Sequence, residues 1–585
     1  MNTGTSLPKS DAAPPNVGFN PDDEATRYLA AAVHLDSRLA DAVIEECLAE
    51  PHRVVPPAPG VRAHIVLREA VAAQEARSIS NVALLILLAV LAMFGSILLV
   101  IWLSSALAWR VSTRLLTRRS TRPSWAVTAL AWLPLMWLFN LMLGFPVALL
   151  LFASTMSEPA SDSYGSSSSD DVSGLFTGLF AVVGLAAVAI AGIALVGTLF
   201  IQRYLPWHIV TRFFQFGHFH PNTPPREFVT RACRPFAARL HRIAAEDHLR
   251  QHATPRNVIV YRGASPFVGA GARVRTWSQA IDLHSVDPAV PIPEFTAADL
   301  QHFIADDVDG IRKSPDITPG QRFAGLEISD AAFLAAGQLL HYPEASFFVN
   351  ELVNGRNPVI GDTYWDELLN RSPEWLRHYR CFRLDAWEKQ VAVAGYLHIG
   401  YERRTLYVEW SGFVLPPVAP EYRTVDTPPR WPYLHAGWQA VCDLAVLPTS
   451  VPARVGEVAR WVRASYGIGR GRTTTPAQAA NALGALSTVR EIGAGRRLPT
   501  FFQASDSDQY LKILERRVLD AMHRFLASRG ISTELFNAMV TQINNSTVME
   551  GCTVVAGNIG GSANQGSINA DNIRIPAAQP IKEST

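Results

Sequence analysis

Asn81-Val82-Ala83-Leu84-Leu85-Ile86-Leu87-Leu88-Ala89-Val90-Leu91-Ala92-Met93-Phe94 opens an apolar stretch, 81–109, without an Asp, Glu, Lys, Arg or His. Two more such stretches follow at 125–153 and 174–201. A helix of about 20 apolar residues spans the roughly 30 Å of bilayer hydrocarbon, so each is long enough to cross. The sequence predicts an α-helical membrane block with three spans, and the rest of the chain is organised around it.

Outward from that block, arginines set the orientation. Arg110, Arg114, Arg118, Arg119 and Arg122 lie between the first two stretches with no acid among them. The Ser-rich link before the third carries Glu158, Asp162, Asp170 and Asp171 and no base. Basic residues near span ends stay in the cytoplasm, which places the arginine link and the chain after residue 201 inside the cell inner (plasma) membrane. Three complete spans then carry the N-terminal 80 residues outward without a secretory signal. The alternative is a re-entrant hairpin over 81–109 that keeps both ends inside. Three true spans are the favoured reading.

The block reads as an anchor. Its one strongly polar side chain in mid-span is Asn140, suited to bonding a neighbouring helix, and Gly174-x-x-x-Gly178 permits close helix approach. Transport needs ionisable groups at membrane depth or paired broken helices; a channel or transporter component would require oligomers.

The flanking sequence divides as follows. Residues 1–20 are expected to be disordered and 21–80 a small helical region, whose Glu45-Glu46 pair is read as a solvated face. A basic, aromatic juxtamembrane segment, 202–256, suits anionic inner-leaflet lipid; its His218-x-His220 lacks the further ligands a metal site needs. A cytoplasmic α+β domain is expected over 257–430. Its clearest signal is a hairpin, 390–401 and 405–415, in which Val391, Val393, Leu397, Ile399 and Tyr401 alternate with polar or small residues. Helical patches are expected near 296–311 and 330–340. Between two strands, Arg262-Gly263-Ala264-Ser265-Pro266-Phe267-Val268-Gly269-Ala270-Gly271 has the glycines of a phosphate cradle but not the spacing of a Walker or dinucleotide loop, and reads as a connection. A helical region follows over 431–545, with its best helix at 506–528. The tail, 546–585, is rich in Asn, Gly and Ser; Val548, Val554, Val555, Ile559 and Ile568 recur in it among polar residues, which reads either as disorder or as a β-prone pattern capable of homotypic stacking.

Val260-Tyr261, Pro266-Phe267-Val268-Gly269, Trp277-Ser278, His378-Tyr379, Trp387, Tyr407-Val408-Glu409, Leu415-Pro416-Pro417 and Tyr422-Arg423-x-Val425-Asp426, together with Thr26-Arg27-Tyr28-Leu29-Ala30-Ala31-Ala32, resemble a group of actinobacterial multi-pass membrane proteins of unknown function. The tail loosely resembles the Asn/Gly-rich tails of bacterial amyloid-type signalling motifs. Neither resemblance implies an activity.

No nucleophile elbow, zincin, Walker or kinase motif is present, and no catalytic residue or metal ligand is assigned. His378, Asp385, Glu409 and Ser265 could be combined on paper into a hydrolytic set, a selection that any domain of this size permits. The five cysteines form no C-x-x-C pair. No cofactor and no nucleic-acid partner is expected. The functional expectation is a membrane anchor for a cytoplasmic signalling or scaffolding domain with a self-associating tail, homo-oligomeric or recruiting a partner protein. The alternative is a membrane-tethered enzyme or ligand sensor using 257–430.

Overall fold

The computed structural model describes residues 21–50, 52–94, 102–104, 106–107, 110, 170–252, 256–313, 323, 325–339, 341–354, 356–466 and 482–545. Arg114, Arg118, Arg119, Arg122, Asn140, the stretch 125–153 and the tail valines and isoleucines (Val548, Val554, Val555, Ile559, Ile568) lie outside the described residues. The chain divides into two compact units. The first comprises Met1–Val71, Phe213–Thr427 and Gly469–Thr585; the second comprises Ala72–Arg212 and Pro428–Ile468. Residues 431–545, read above as one helical region, are therefore shared between them.

In chain order the elements are α1 (Pro21–Leu35), α2 (Ser37–Cys47), α3 (Ala63–Phe94), α4 (Asp170–Phe213), α5 (Glu227–Ala232), α6 (Ala237–His252), β1 (Arg256–Tyr261), β2 (Ala272–Asp282), α7 (Ala297–Asp309), β3 (Leu326–Ala335), α8 (Ser346–Val353), α9 (Asp362–Asn370), β4 (Leu376–Ala386), β5 (Val391–Glu402), β6 (Thr405–Leu415), α10 (Pro432–Tyr466), α11 (Val489–Ile492), α12 (Phe501–Ser528) and α13 (Glu534–Asn545).

The first unit is built on a six-stranded sheet in the order β1-β3-β4-β5-β6-β2. Only β1 and β3 run parallel; the other pairs are antiparallel. The predicted hairpin is β5–β6, closed by Arg403-Arg404 between the paired residues Glu402 and Thr405. Both turn residues have positive φ, 50° and 75°, the backbone that matches strand twist in two-residue turns and that Asn-Gly adopts most cheaply. The link 262–271 does connect two strands, but they are the two edges of the sheet, about 24 Å apart at a strand spacing near 4.8 Å.

One expectation is corrected. The patch near 330–340 is strand β3 over its first half, not helix. Its Ala and Leu content favours helix locally, but β3 sits between β1 and β4, and pairing on both sides outweighs a propensity of a few tenths of a kcal/mol per residue. The helix expected near 296–311 is α7, whose Thr296 and Asp299 form a capping box that satisfies two orphan N–H groups. The helix expected from 506 begins at Phe501, capped by the Thr500 side chain.

One sheet face is sealed by helices. Trp277, Phe382, Leu397 and Trp410 pack against Leu514, Val518, Met522 and Phe525 of α12, with α7 and α13 contributing Leu300, Ile304 and Phe536. Gly395 lets the Trp410 indole lie directly on β5, since a Cβ there would meet its Cη2 at 2.1 Å. At the sheet margin the Trp277 indole N–H donates to Glu515 at 2.5 Å.

The N-terminal helices belong to the same unit, and buried charges tie them in. The Arg27 guanidinium donates to Asp426 at 2.7 and 3.1 Å, and the Tyr28 hydroxyl to the same carboxylate at 2.5 Å. The resembling stretches at 26–32 and 422–426 are thus two halves of one contact. Glu46, read above as part of a solvated face, is buried: its carboxylate accepts from Arg262 and, at 2.7 Å, from the Leu486 backbone N–H. Glu45 is exposed.

In the second unit α3, α4 and α10 share an apolar cluster of Leu84, Leu88, Leu195, Leu199, Ala440 and Leu447. Among the described residues two helices, over Ala63–Met93 and Ala186–Phe213, are long and apolar enough to cross a membrane. Gly174 and Gly178 fall on α4. Arg110 donates to the carbonyl of Thr449 at 3.2 Å.

Candidate functional site on the second face of the sheet

The second sheet face is covered by loops. Phe267, from the Gly-rich link, inserts among four rings: Phe333, Tyr379, Tyr396 and Phe413, with centroids 4.8–5.2 Å away. The link is held by an internal anion. Gly271 N–H donates to the partly buried Glu491 carboxylate at 3.0 Å, which also accepts from Thr488 N–H at 3.0 Å. The glycines that suggested a phosphate cradle therefore serve the chain's own carboxylate. Burial raises the Glu491 carboxyl above its ordinary range despite these N–H bonds, among them one from Gly269. Gly271 has φ +88°, and a Cβ on it would lie 2.5 Å from the Val414 carbonyl oxygen; no other residue fits.

Beyond Phe267 the same face carries a polar row. Strand alternation and register place Tyr379 (β4), His398 (β5), Glu409 (β6) and Ser278 (β2) side by side, with His398 paired to Glu409 and Glu409 to Ser278. The Tyr379 hydroxyl donates to Glu409 at 3.1 Å. His398 Nδ1 lies 2.7 Å from the His378 carbonyl oxygen; a carbonyl only accepts, so Nδ1 carries the proton and Nε2 the lone pair. Burial lowers the His398 pKa, the His378 carbonyl opposing it, so the ring is neutral near pH 7. Burial, then the neighbouring Glu409, raises Tyr379, which keeps its phenol protonated. Ser278 and Tyr407 are exposed, and Arg377 is exposed on the same face of β4.

His378 points the other way. Its Nε2 lies 3.0 Å from Asp330, which also takes Arg380 at 2.9 Å, and its ring meets Trp365 edge-on at 5.8 Å. Burial favours a neutral Asp330, but the His378 hydrogen bond and the Arg380 charge outweigh it and hold the carboxyl below its ordinary value. Burial pulls the His378 pKa down against the pull of Asp330. This is a buried tie within the sealed side.

The paper set of His378, Asp385, Glu409 and Ser265 is thus not assembled. His378 and Glu409 occupy opposite faces, Asp385 is engaged by Arg383 at 2.8 and 2.9 Å, and Ser265 sits exposed in the link. His218 and His220 are exposed. Sequence reading missed His398; the signal available was its place in period two, opposite the apolar stripe of β5.

Three stretches distant in sequence, Trp277-Ser278, His378-Tyr379 and Tyr407-Val408-Glu409, converge on neighbouring sheet positions. Residues 276–562 match the AbeC-like domain family. The match covers just under half of the chain and begins inside β2, so the AbeC-like stretch holds β2 to β6 and helices α7 to α13 but not β1 or the Phe267 link. No curated protein and no solved structure matches the chain.

Proposed function

We propose that the chain is a multi-pass protein of the inner (plasma) membrane that holds an AbeC-like interaction domain at the cytoplasmic side, for signalling or scaffolding. The observation that carries this reading is the separation of roles between units. The second unit supplies apolar helices whose bilayer-length windows hold almost no charge, which favours an anchor. The first supplies a rigid sheet in which the paper hydrolytic set is dispersed. The arginines from Arg110 to Arg122 favour the cytoplasmic orientation. The tail from 546 would nucleate homo-oligomers or recruit a protein with a similar segment.

Deletion of 546–575 tests this. The variant should stay in the membrane fraction and lose assembly, measured as particle mass after mild detergent extraction. A deletion variant that assembles like the wild type contradicts the reading. A second reading, a ligand sensor, is favoured by the Arg377, Tyr379, His398 and Glu409 row, which offers a cation, a lone pair and a carboxylate on one surface. Native mass spectrometry of the full chain would then carry a small-molecule adduct that Glu409→Gln removes.

A further inference from the structure

Between Val71 and Phe213 the chain leaves the first unit and returns to it. Residues before that excursion bond directly to residues after it: Arg27 to Asp426 and to the Phe214 carbonyl, His64 to Asp247, and Glu69 to Arg226. Both segments therefore lie on one side of any membrane the chain crosses, and the number of complete crossings between them is even. Three spans do not satisfy this.

The second unit indicates which stretch departs from a complete crossing. Asn81 and Gln202 mark the start of the first apolar stretch and the end of the third. They meet in one polar knot on α10. Asn81, fully buried, donates to Glu457 at 2.6 Å and accepts from Arg454 at 2.5 Å, and Arg454 also donates to Gln202 at 3.2 Å. Arg110, at the far end of the first stretch, reaches Thr449 on that same helix. Thr449 precedes Arg454 by five positions, about 7.5 Å of helical rise, whereas a straight helix from 81 to 110 would separate its ends by about 44 Å. Asn81 and Arg110 lie at one end.

That end is the surface along which α10 runs. His435 meets Trp207, Asp443 takes Arg203 at 2.5 Å, and Arg454 takes Gln202. These three contacts lie 8 and 11 positions apart on α10 but all fall between Gln202 and Trp207 on α4, so α10 lies across α4 rather than along it. Pro448 has no N–H for the Leu444 carbonyl four residues back; the Trp102 indole N–H fills that place at 3.1 Å, as is required where water is scarce. Leu434, Trp438 and Val441 fall on one helical face, with Trp431 just ahead of the first turn, and all four are exposed, Trp438 at 70 %. Ile190, Ile193 and Val196 on α4, in the same unit, are exposed as well. Tryptophan-bearing amphipathic helices with basic partners are the form that lies in a bilayer interface.

We propose that α10 is an interfacial membrane helix with its Leu434–Trp438–Val441 face in lipid, Trp431 flanking it, and that the 81–110 stretch enters and leaves the bilayer at that same surface. The number of complete crossings between Val71 and Phe213 is then even, and α4 is one of them. The occupant of the α10 face is the lipid interface, the same solvent that meets the exposed apolar residues of α4.

Two measurements on the full chain test this. With Cys442 and Cys552 replaced by Ser, cysteines are placed singly at Asn20, Ser120 and Ser167 and labelled with a membrane-impermeant maleimide in sealed vesicles of known orientation. Asn20 and Ser120 should label from one side and Ser167 from the other; Asn20 and Ser120 labelling from opposite sides overturns the hairpin. For α10, a nitroxide on Trp438→Cys in phospholipid vesicles should collide more with dioxygen than with a water-soluble nickel chelate. The reverse preference overturns the lipid assignment, as does a label immobile to both, which would indicate a protein partner.

Discussion

The two faces of the central sheet solve the same problem with different material. One is sealed by long helices bearing apolar stripes; the other is covered in part by a ten-residue link whose Phe267 sits among four rings, and carries a polar row beyond it. On the sealed face charge is spent internally, as in Asp330 with His378 and Arg380. On the other face the polar groups of Ser278, His398 and Glu409 reach toward solvent. Burial of a charged group here marks construction, and the surface available for recognition is where charge is only half-buried.

The link is the weakest part of this comparison and the place to break it. Gly271→Ala forces a Cβ against backbone at a positive φ and is expected to cost more than about 4 kcal/mol, in the range reserved for gross structural lesions, with loss of folded protein on expression. Phe267→Ala removes a side chain surrounded by four rings and should cost about 3–5 kcal/mol, as much as Trp410→Ala on the sealed face. Thermal melting of the full chain checks both. A Phe267→Ala cost below about 1 kcal/mol would make the link a loose cover.

The two histidines sharpen the contrast through pH. Both are held below the ordinary value near 6.5, His378 and His398 each by burial. Between the unfolded and folded values the unfolded chain binds more protons, so stability is present above about pH 6.5 and is lost as pH falls through the folded values. The melting midpoint should drop between pH 7 and pH 5, with a shallower slope in His378→Gln and in His398→Gln. A flat wild-type profile contradicts the assignment. Smallest is the turn: Arg403→Asn with Arg404→Gly should stabilise by about 1 kcal/mol, since both positions hold positive φ without a glycine.

What could be read from the sequence follows the range of the interaction. The β5–β6 hairpin was legible because period two and a two-residue turn are local, and α7 because its capping box lies within four residues. The bonds of Glu46 to Arg262 and Leu486 and of Glu491 to Gly271 were not legible, since those partners lie more than 200 residues away; a buried carboxylate and a solvated one look alike in sequence. β3 was misread for the same reason, its strand state being imposed by neighbours on both sides. In α10, Asp443, Arg454 and two prolines interrupt the hydropathy, and Asp443 and Arg454 are the residues that bind it to α3 and α4.

The central claim is that the sealed face holds the fold together and the polar row on the other face is not needed for it. The most direct measurement is thermal unfolding of the full chain in mild detergent for two variants, Asp330→Ala and the triple variant Arg377→Gln, His398→Gln, Glu409→Gln. Breaking the buried tie should cost about 3 kcal/mol. The triple variant should stay within about 1 kcal/mol of the wild type, the net worth of one hydrogen bond. A triple variant destabilised as much as Asp330→Ala would make the row part of the scaffold and contradict the account.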